Sequence, residues 1–435
     1  MSSKKSFAQR NARVNRPQRD QVEFLPMAID EMVPGDHRCR MVWRFVESID
    51  LDPFYEGIRV SDSQAGRTKI SPEILISLWL MATLDGISSA HEIDRRCQTD
   101  LIYRWICGGV SVNYHTISDF RTAHVEKLND ILTSSIASLI KQGFVSLEEI
   151  AQDGMRVRAA AGSSSFRRKP TLDELHKHAK AHVDQLEQER RQREANQDDD
   201  DDPPTRTRRE AAAERAARER EERIKRAIEE SEKLRDKKRK EEDKAKVRTS
   251  TTDPDARRMK MGDGGTRPAV NVQFASDCQA RVIVGVEVTN DGTDGGRLPP
   301  MLDQVEDRYG KRPDIAIVDS AYATKAAVEQ AELFGTKVVS TVPRSDQLRN
   351  HGKDPHQRQK GDSDQYEAFR DRMADPEYQE LYKKRPSVAE FPNADCRNRG
   401  LTQLRVRSLV KAEAVALWHA LTFNLLRMIH MGAIA

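Results

Sequence analysis

Two aspartates in this chain stand where strand patterning places reactive acids. Asp153 lies within Val145-Ser-Leu-Glu-Glu-Ile-Ala-Gln-Asp153, which reads as a strand continuing through Met155 and Val157 with period-two alternation. Asp319 directly follows Asp314-Ile-Ala-Ile-Val318, a short continuous apolar run of the kind buried on both faces of a sheet. It therefore falls at the carboxyl end of its strand, where open α/β sheets place their sites. Carboxylates so placed are natural oxygen ligands for hard divalent cations. Two such ions, about 3.5–4 Å apart, activate a water or a 3′-hydroxyl and stabilise the leaving oxygen of a phosphodiester. Taken alone, the residues leave a plainer reading open, because an acid at a strand terminus is often a helix cap or a turn former.

The elements that must hold these acids follow an α/β pattern from Pro268 onward. Strands are expected at Val270–Phe274 and Arg281–Val288, flanking a turn at Ser276-Asp277. A helix is expected over Leu298–Tyr309, then the strand before Asp319, a helix over Ala326–Phe334 and a strand over Lys337–Val342. Residues 344–380 are polar and read as loop-rich, and Glu413–Met431 reads as a closing helix, apolar nearly all round and so buried. Residues 27–145 read as helical. Pro72-Glu73 opens an apolar helix that stops at Gly86, and Ser89 with Glu92 forms a capping box. A second box, Thr116 with Asp119, opens a long helix through Phe120, Leu128, Ile131, Leu132, Ile136 and Leu139. This helix carries Arg121, His124 and Lys127, a set suited to reading DNA; an ordinary helical bundle is the plainer explanation of the periodicity.

The charge is unevenly placed. Of 435 residues 33% are charged, yet the net charge is only +3, so the balance says less about partners than the distribution does. Residues 1–20 carry Lys4, Lys5, Arg10, Arg13, Arg16 and Arg19 before the first acid at Asp20. Such an arm suits a phosphate backbone through counterion release, or serves as a solubilising tail. Residues 171–248 are dense in Glu, Lys, Arg and Ala, with thin apolar stripes (Leu172, Leu175, Ala179, Val183; then Ala217, Ile224, Ala227) on either side of Asp198–Asp202 and Pro203-Pro204. This is expected to be an inserted charged helical hairpin with arms of roughly 25 and 40 residues, acting as a solvated spacer, a dimerisation element or a DNA clamp. Five scattered cysteines without a C-x-x-C pair argue against a disulfide framework or structural zinc, and fit a reducing compartment. No apolar run is expected to span a bilayer and no signal-peptide h-region is evident, so a cytoplasmic protein without membrane contact is expected.

Longer motifs add a resemblance. Ala151-Gln-Asp153-Gly-Met-Arg-Val-Arg-Ala, Asp319-Ser-Ala-Tyr322 and the spaced Tyr382, Arg385, Glu390 and Arg397 occur in order. They are accompanied by Pro34-Gly-Asp-His37-Arg38, Asn113-Tyr-His-Thr-Ile-Ser-Asp-Phe-Arg121 and Ser250-Thr-Thr-Asp-Pro-Asp-Ala-Arg257. From about residue 10 to 430 the chain resembles the DDE transposases of bacterial insertion sequences. The resemblance implies an α/β catalytic domain with the RNase H-like, or retroviral-integrase-like, fold (146–170 and 249–435). It further implies a helical DNA-binding domain at 21–145, with the hairpin at 171–248 inserted between the catalytic segments. Asp153, Asp319 and Glu390 would be the catalytic acids and the ligands of two Mg²⁺ ions, with Mn²⁺ as a substitute. Arg385 and Arg397 would contact DNA, Arg397 standing where the family usually has Lys, and Tyr322 would pack or stack beside the strand end. Such a protein binds double-stranded DNA at terminal inverted repeats, frees a 3′-hydroxyl and uses it to attack target DNA. Two ends must be held together, so self-association on DNA is implied. Two alternatives stay open: a transposase-derived DNA-binding protein that no longer cuts, and a hydrolytic nuclease of the same fold. Ala321 and Ser408 each stand where glycine is usual, and a left-handed backbone at Ala321 would strain the turn beside Asp319.

Overall fold

The computed structural model describes residues 26–56, 69–195 and 208–434. The basic arm at 1–20 and the Asp-Pro run at 198–204 lie outside these residues.

The helical part opens with α1 (Arg38–Ser48) and α2 (Pro72–Leu84), followed by α3 (Ala90–Thr99), α4 (Leu101–Cys107), α5 (Tyr114–Ala123) and α6 (Val125–Lys141). Proline at the first position and the Ser71 side chain set the start of α2, as the sequence predicts. Ser89 accepts from the Glu92 amide, but the Glu92 carboxylate turns to Arg95 and Arg96, so only half of that capping box forms. Thr116 is not a cap: the Asn113 side chain accepts from the Thr116 amide, and α5 starts at Tyr114. The expected long helix is two helices, because the backbone breaks at His124, whose ring packs against Phe54 and Phe120.

The central sheet runs β6-β5-β1-β7-β8, built from β1 (Glu149–Arg158), β5 (Thr266–Asp277), β6 (Ile283–Thr289), β7 (Ile315–Ile317) and β8 (Lys337–Val339). A further strand, β4 (Arg257–Lys260), shares the outer edge of β5 with β6. β1 is antiparallel to β5 and parallel to β7, and β7 is parallel to β8. Between β6 and β7 lies α9 (Leu298–Tyr309), as predicted, and between β7 and β8 lies α10 (Lys325–Leu333). Three boundaries differ from expectation. β1 begins at Glu149 rather than Val145, since Leu147 takes a left-handed turn (φ 55°) held by the Asp277 carboxylate. Ser276 and Asp277 end β5 instead of turning; the turn follows them, with Asp277 accepting from the Ala280 amide. Residues 344–380 hold three short helices, α11 (Ser345–Asn350), α12 (Asp364–Ala374) and α13 (Pro376–Tyr382), the last two started by the Ser363 and Asp375 side chains.

Between β1 and β4 a two-stranded ladder, β2 (Phe166–Arg167) with β3 (Thr249–Ser250), closes the base of two long helices. These are α7 (Lys169–Ala195) and α8 (Arg208–Asp236), 27 and 29 residues long and thus nearly equal, where arms of 25 and 40 were expected. They lie antiparallel, Lys169 reaching Glu232 near one end and Arg218 reaching Glu187 near the other. Their thin stripes meet, burying Leu172, Ala179 and Val183 with Ala217, Ile224 and Ala227.

The chain closes with α14 (Phe391–Asn398) and α15 (Leu409–Met431). By length and composition alone α15 could cross a membrane, contrary to expectation; 67% of that apolar window is buried inside the protein, as suits a core helix. It packs on β6, α2, α5 and α6. Trp418 Nε1 donates to the Arg121 carbonyl, and Asn424 bonds both backbone groups of Ile283. The boundary expected near residue 145 therefore separates no cores: the buried side chains on both sides form one cluster.

Candidate active site

Register brings the two aspartates together. The last parallel pair of β1 and β7 is Ala151 with Ile317, so two residues further on Asp153, still within β1, and Asp319, just past the end of β7, stand at the same level. Here β7 has ended and β1 continues only along β5, which opens the sheet beside Asp153. Glu390 arrives from the C-terminal side on a wide π-type turn, Pro386–Glu390, in which the Phe391 amide bonds the Pro386 carbonyl. Pro392 then sits in the first turn of α14, where its missing N–H costs nothing.

One guanidinium joins all three acids. Arg385 lies 3.4 Å from Asp153 Oδ1, 3.7 Å from Asp319 Oδ2 and 2.7 Å from Glu390 Oε1. Its side chain is 13% exposed and that of Asp153 20%, against 44% for Asp319 and 50% for Glu390. The site is thus closed at the bottom and open at the top. Burial pushes the Asp153 carboxyl above the usual carboxylate range, while Arg385 and a 3.0 Å hydrogen bond from Asn393 Nδ2 pull it back. Asp319 Oδ1 accepts from the Ala321 amide at 2.8 Å, so this acid also shapes its own turn. Ala321 is not among the residues with positive φ, and the expected strain beside Asp319 does not arise. Ser408 is different: at φ 81° and ψ 151° it occupies a region essentially reserved for glycine, at a cost of about 1–3 kcal/mol.

Beneath the acids is a polar network that the sequence did not disclose. The buried Tyr322 hydroxyl donates to Gln273 Oε1, which also accepts from Gln152, while Gln273 Nε2 donates to Asp294. Asp294 in turn pairs with Arg156 at 3.2 Å. A Cβ on Gly154 would come within 2.2 Å of Gln273 Nε2 and 2.8 Å of Asp294 Oδ1, so a larger residue next to Asp153 would have to displace these two side chains from the network. Asn393, three residues after Glu390 in Glu-Phe-Pro-Asn, also escapes a reading of the sequence; that spacing places both on one side of the helix entry.

The expected DNA contacts fare unevenly. Tyr322 is 1% exposed and presents no face to DNA; its role is packing and hydrogen bonding beneath the strand end. Arg121 donates to the Ser88 carbonyl and lies over Trp79, and Lys127 donates to the Pro53 carbonyl and lies over Phe54. Both are occupied in holding the helices together. Arg385 faces the carboxylates, and Arg397 is exposed with no side-chain partner among the described residues.

Among the described residues no group of three or more His, Cys, Asp or Glu is gathered closely enough to hold a metal ion. The three carboxylates converge on Arg385 instead. All their donors are hard carboxylate oxygens around one positive charge, a set that fits a divalent cation of the Mg²⁺ type once Arg385 shares or yields its place.

Residues 27–123 match the family described as Transposase domain (DUF772), and residues 242–425 match the Transposase DDE domain family. The second match contains Asp319 and Glu390 and begins beyond Asp153, whose membership of the site rests on the sheet register and on Arg385. The chain belongs to the DDE transposases of the insertion-sequence type. That family implies an RNase H-like fold, and the helical N-terminal part and mixed sheet accord with it. No curated protein and no solved structure matched the chain.

Proposed function

We propose that this transposase binds the terminal inverted repeats of its element, cleaves a strand to free a 3′-hydroxyl and joins that hydroxyl to target DNA. The carrying observation is the convergence of Asp153, Asp319 and Glu390 on Arg385, from three segments far apart in the chain. Asp153, Asp319 and Glu390 would hold Mg²⁺ or Mn²⁺, which when bound supplies Lewis acidity at the phosphodiester and a deprotonated nucleophile. Arg385, released in part from the acids, places its planar fork on the phosphate. Asn393 fixes the Asp153 carboxylate, and Gln273 with Tyr322 keeps β1 and the Asp319 turn in register. Exposed Arg397 contacts the DNA end. The antiparallel pair α7 and α8 is an inserted hairpin projecting from the catalytic domain, and two copies act together on DNA, within the cytoplasm.

The test is cleavage and joining of a labelled element-end duplex by the full chain with Mg²⁺ or Mn²⁺. Asp153→Asn, Asp319→Asn and Glu390→Gln should each abolish both steps while DNA binding persists. Wild-type activity in all three variants would overturn the assignment.

A further inference from the structure

Two cavities lie beside the acids, and the chemistry described so far uses neither. One, of about 680 Å³, is lined by Ser340, Thr341, Arg344, Arg349, His356 and Tyr382 among others. The second, of about 590 Å³, is lined by Thr324, Lys325, Lys353, Lys360, Tyr366 and Arg370 among others. Ser320 and Arg344 border both, and Ser320 is the residue after Asp319. The cavities therefore form one trough, which begins at the catalytic turn and passes on either side of Arg344.

Its lining is strongly biased in charge. Asp346 is the one acid among the described lining residues. Lys325 and Arg370 are engaged by the buried Asp362, and Arg349 lies 3.5 Å from Asp346. The side chains of Arg344, Lys353 and Lys360 have no ion pair or hydrogen bond among the described residues. His356 adds a buried Nδ1 without a partner. Arg344 also sits in a left-handed conformation (φ 60°, ψ 26°), where a non-glycine residue carries a cost that such positions tend to bear at functional sites. Three unpaired cations along one trough suit a string of phosphates.

We propose that this trough is a track for the DNA phosphates flanking the one at the carboxylates, gripped by Arg344, Lys353 and Lys360. The inference rests on the transposase reading and adds to it a path for the strand that is cut. The track is independent of the carboxylates, so its loss weakens the hold on DNA without removing the acids.

The experiment is fluorescence anisotropy of a dye-labelled element-end duplex with the full chain, across a salt titration. The proteins are wild type, Arg344→Gly and the double variant Lys353→Gln/Lys360→Gln, with Asp319→Asn as a control that keeps every track cation. Removing one cation from a phosphate should lower the slope of log K against log salt by about 0.9. The expected drop is thus about 0.9 for Arg344→Gly and about twice that for the double variant, with affinity falling in parallel. Glycine accepts the left-handed backbone, so Arg344→Gly should melt no lower than wild type. Should it melt lower, the two lysines decide the matter. Wild-type slope and affinity in the double variant would overturn the track and leave the transposase reading standing. Failure of the wild type to bind or cut the duplex would overturn both.

Discussion

Two regions of this protein are built from ion pairs and use them in opposite ways. Along α7 and α8 the pairs are many, mostly exposed and interchangeable: Lys169 reaches Asp173 and Glu232, both carboxylates about half in water. At the active site a single sunken Arg385 serves three acids at once. Exposed pairs are each worth about 0–1 kcal/mol, so the helix pair distributes its stability and tolerates loss. The site concentrates its charge, and every member depends on the same guanidinium. Burial, rather than the number of charges, decides which region fails when one residue is changed.

Removing an acid should test the concentrated side most severely. Asp153→Asn, Asp319→Asn or Glu390→Gln should lower strand cleavage on the order of 10³-fold or more, about 4 kcal/mol of transition-state stabilisation, as read from initial rates on labelled duplex. Next comes Arg385→Ala, which leaves Asp153 facing two other carboxylates. A fully buried pair broken this way costs about 3–5 kcal/mol. The half-exposure of Asp319 and Glu390 reduces this to about 1–3 kcal/mol by urea denaturation. Added Mg²⁺ should restore part of the loss, since a cation then replaces the missing charge; destabilisation indifferent to Mg²⁺ would count against shared occupancy of that position.

A third device is exclusion of charge. His419 is buried in α15, and burial pushes its ring down to about 3. The unfolded chain takes up this proton near pH 6.5, so the histidine's contribution is complete above that pH and declines as pH falls toward 3. Stability should decline by about 1.4 kcal/mol per pH unit within that window from this residue, and His419→Gln should flatten the profile by that amount. The smallest effect belongs to the exposed helices: Lys169→Ala should cost less than about 1 kcal/mol and nothing measurable at high salt. A large cost there would erase the contrast between the two regions.

Much of the site is legible in the sequence because strands advertise themselves. The apolar run before Asp319 and the alternation around Asp153 locate both acids, and the parallel register does the rest. Glu390 carries no such mark, because its segment is a π-type turn between prolines without a repeating pattern. Residues 344–380 read as loop because helices of six to eleven residues rich in polar side chains show little periodicity; their caps at Ser363 and Asp375 are the available signal. Arg121 and Lys127 illustrate the opposite error. Cations on a helix suggest a face turned to a ligand, whereas aromatic rings and backbone carbonyls inside the protein claim these two. Tyr322, Gln273 and Asp294 form a network across distant segments, a relation no local pattern encodes.

The ladder of β2 with β3 bears on how such a chain assembles. β1 and β5 are adjacent in the sheet, yet the whole of α7 and α8 separates them along the sequence. Closing a long loop costs entropy that grows with the logarithm of its length, and pairings of high contact order form slowly. Once the two helices zip together and the ladder ties residues 166–167 to 249–250, the ends of β1 and β5 become near neighbours. The antiparallel helices then act as a splint for nucleation, and the catalytic sheet closes over a short connection in place of one of about a hundred residues.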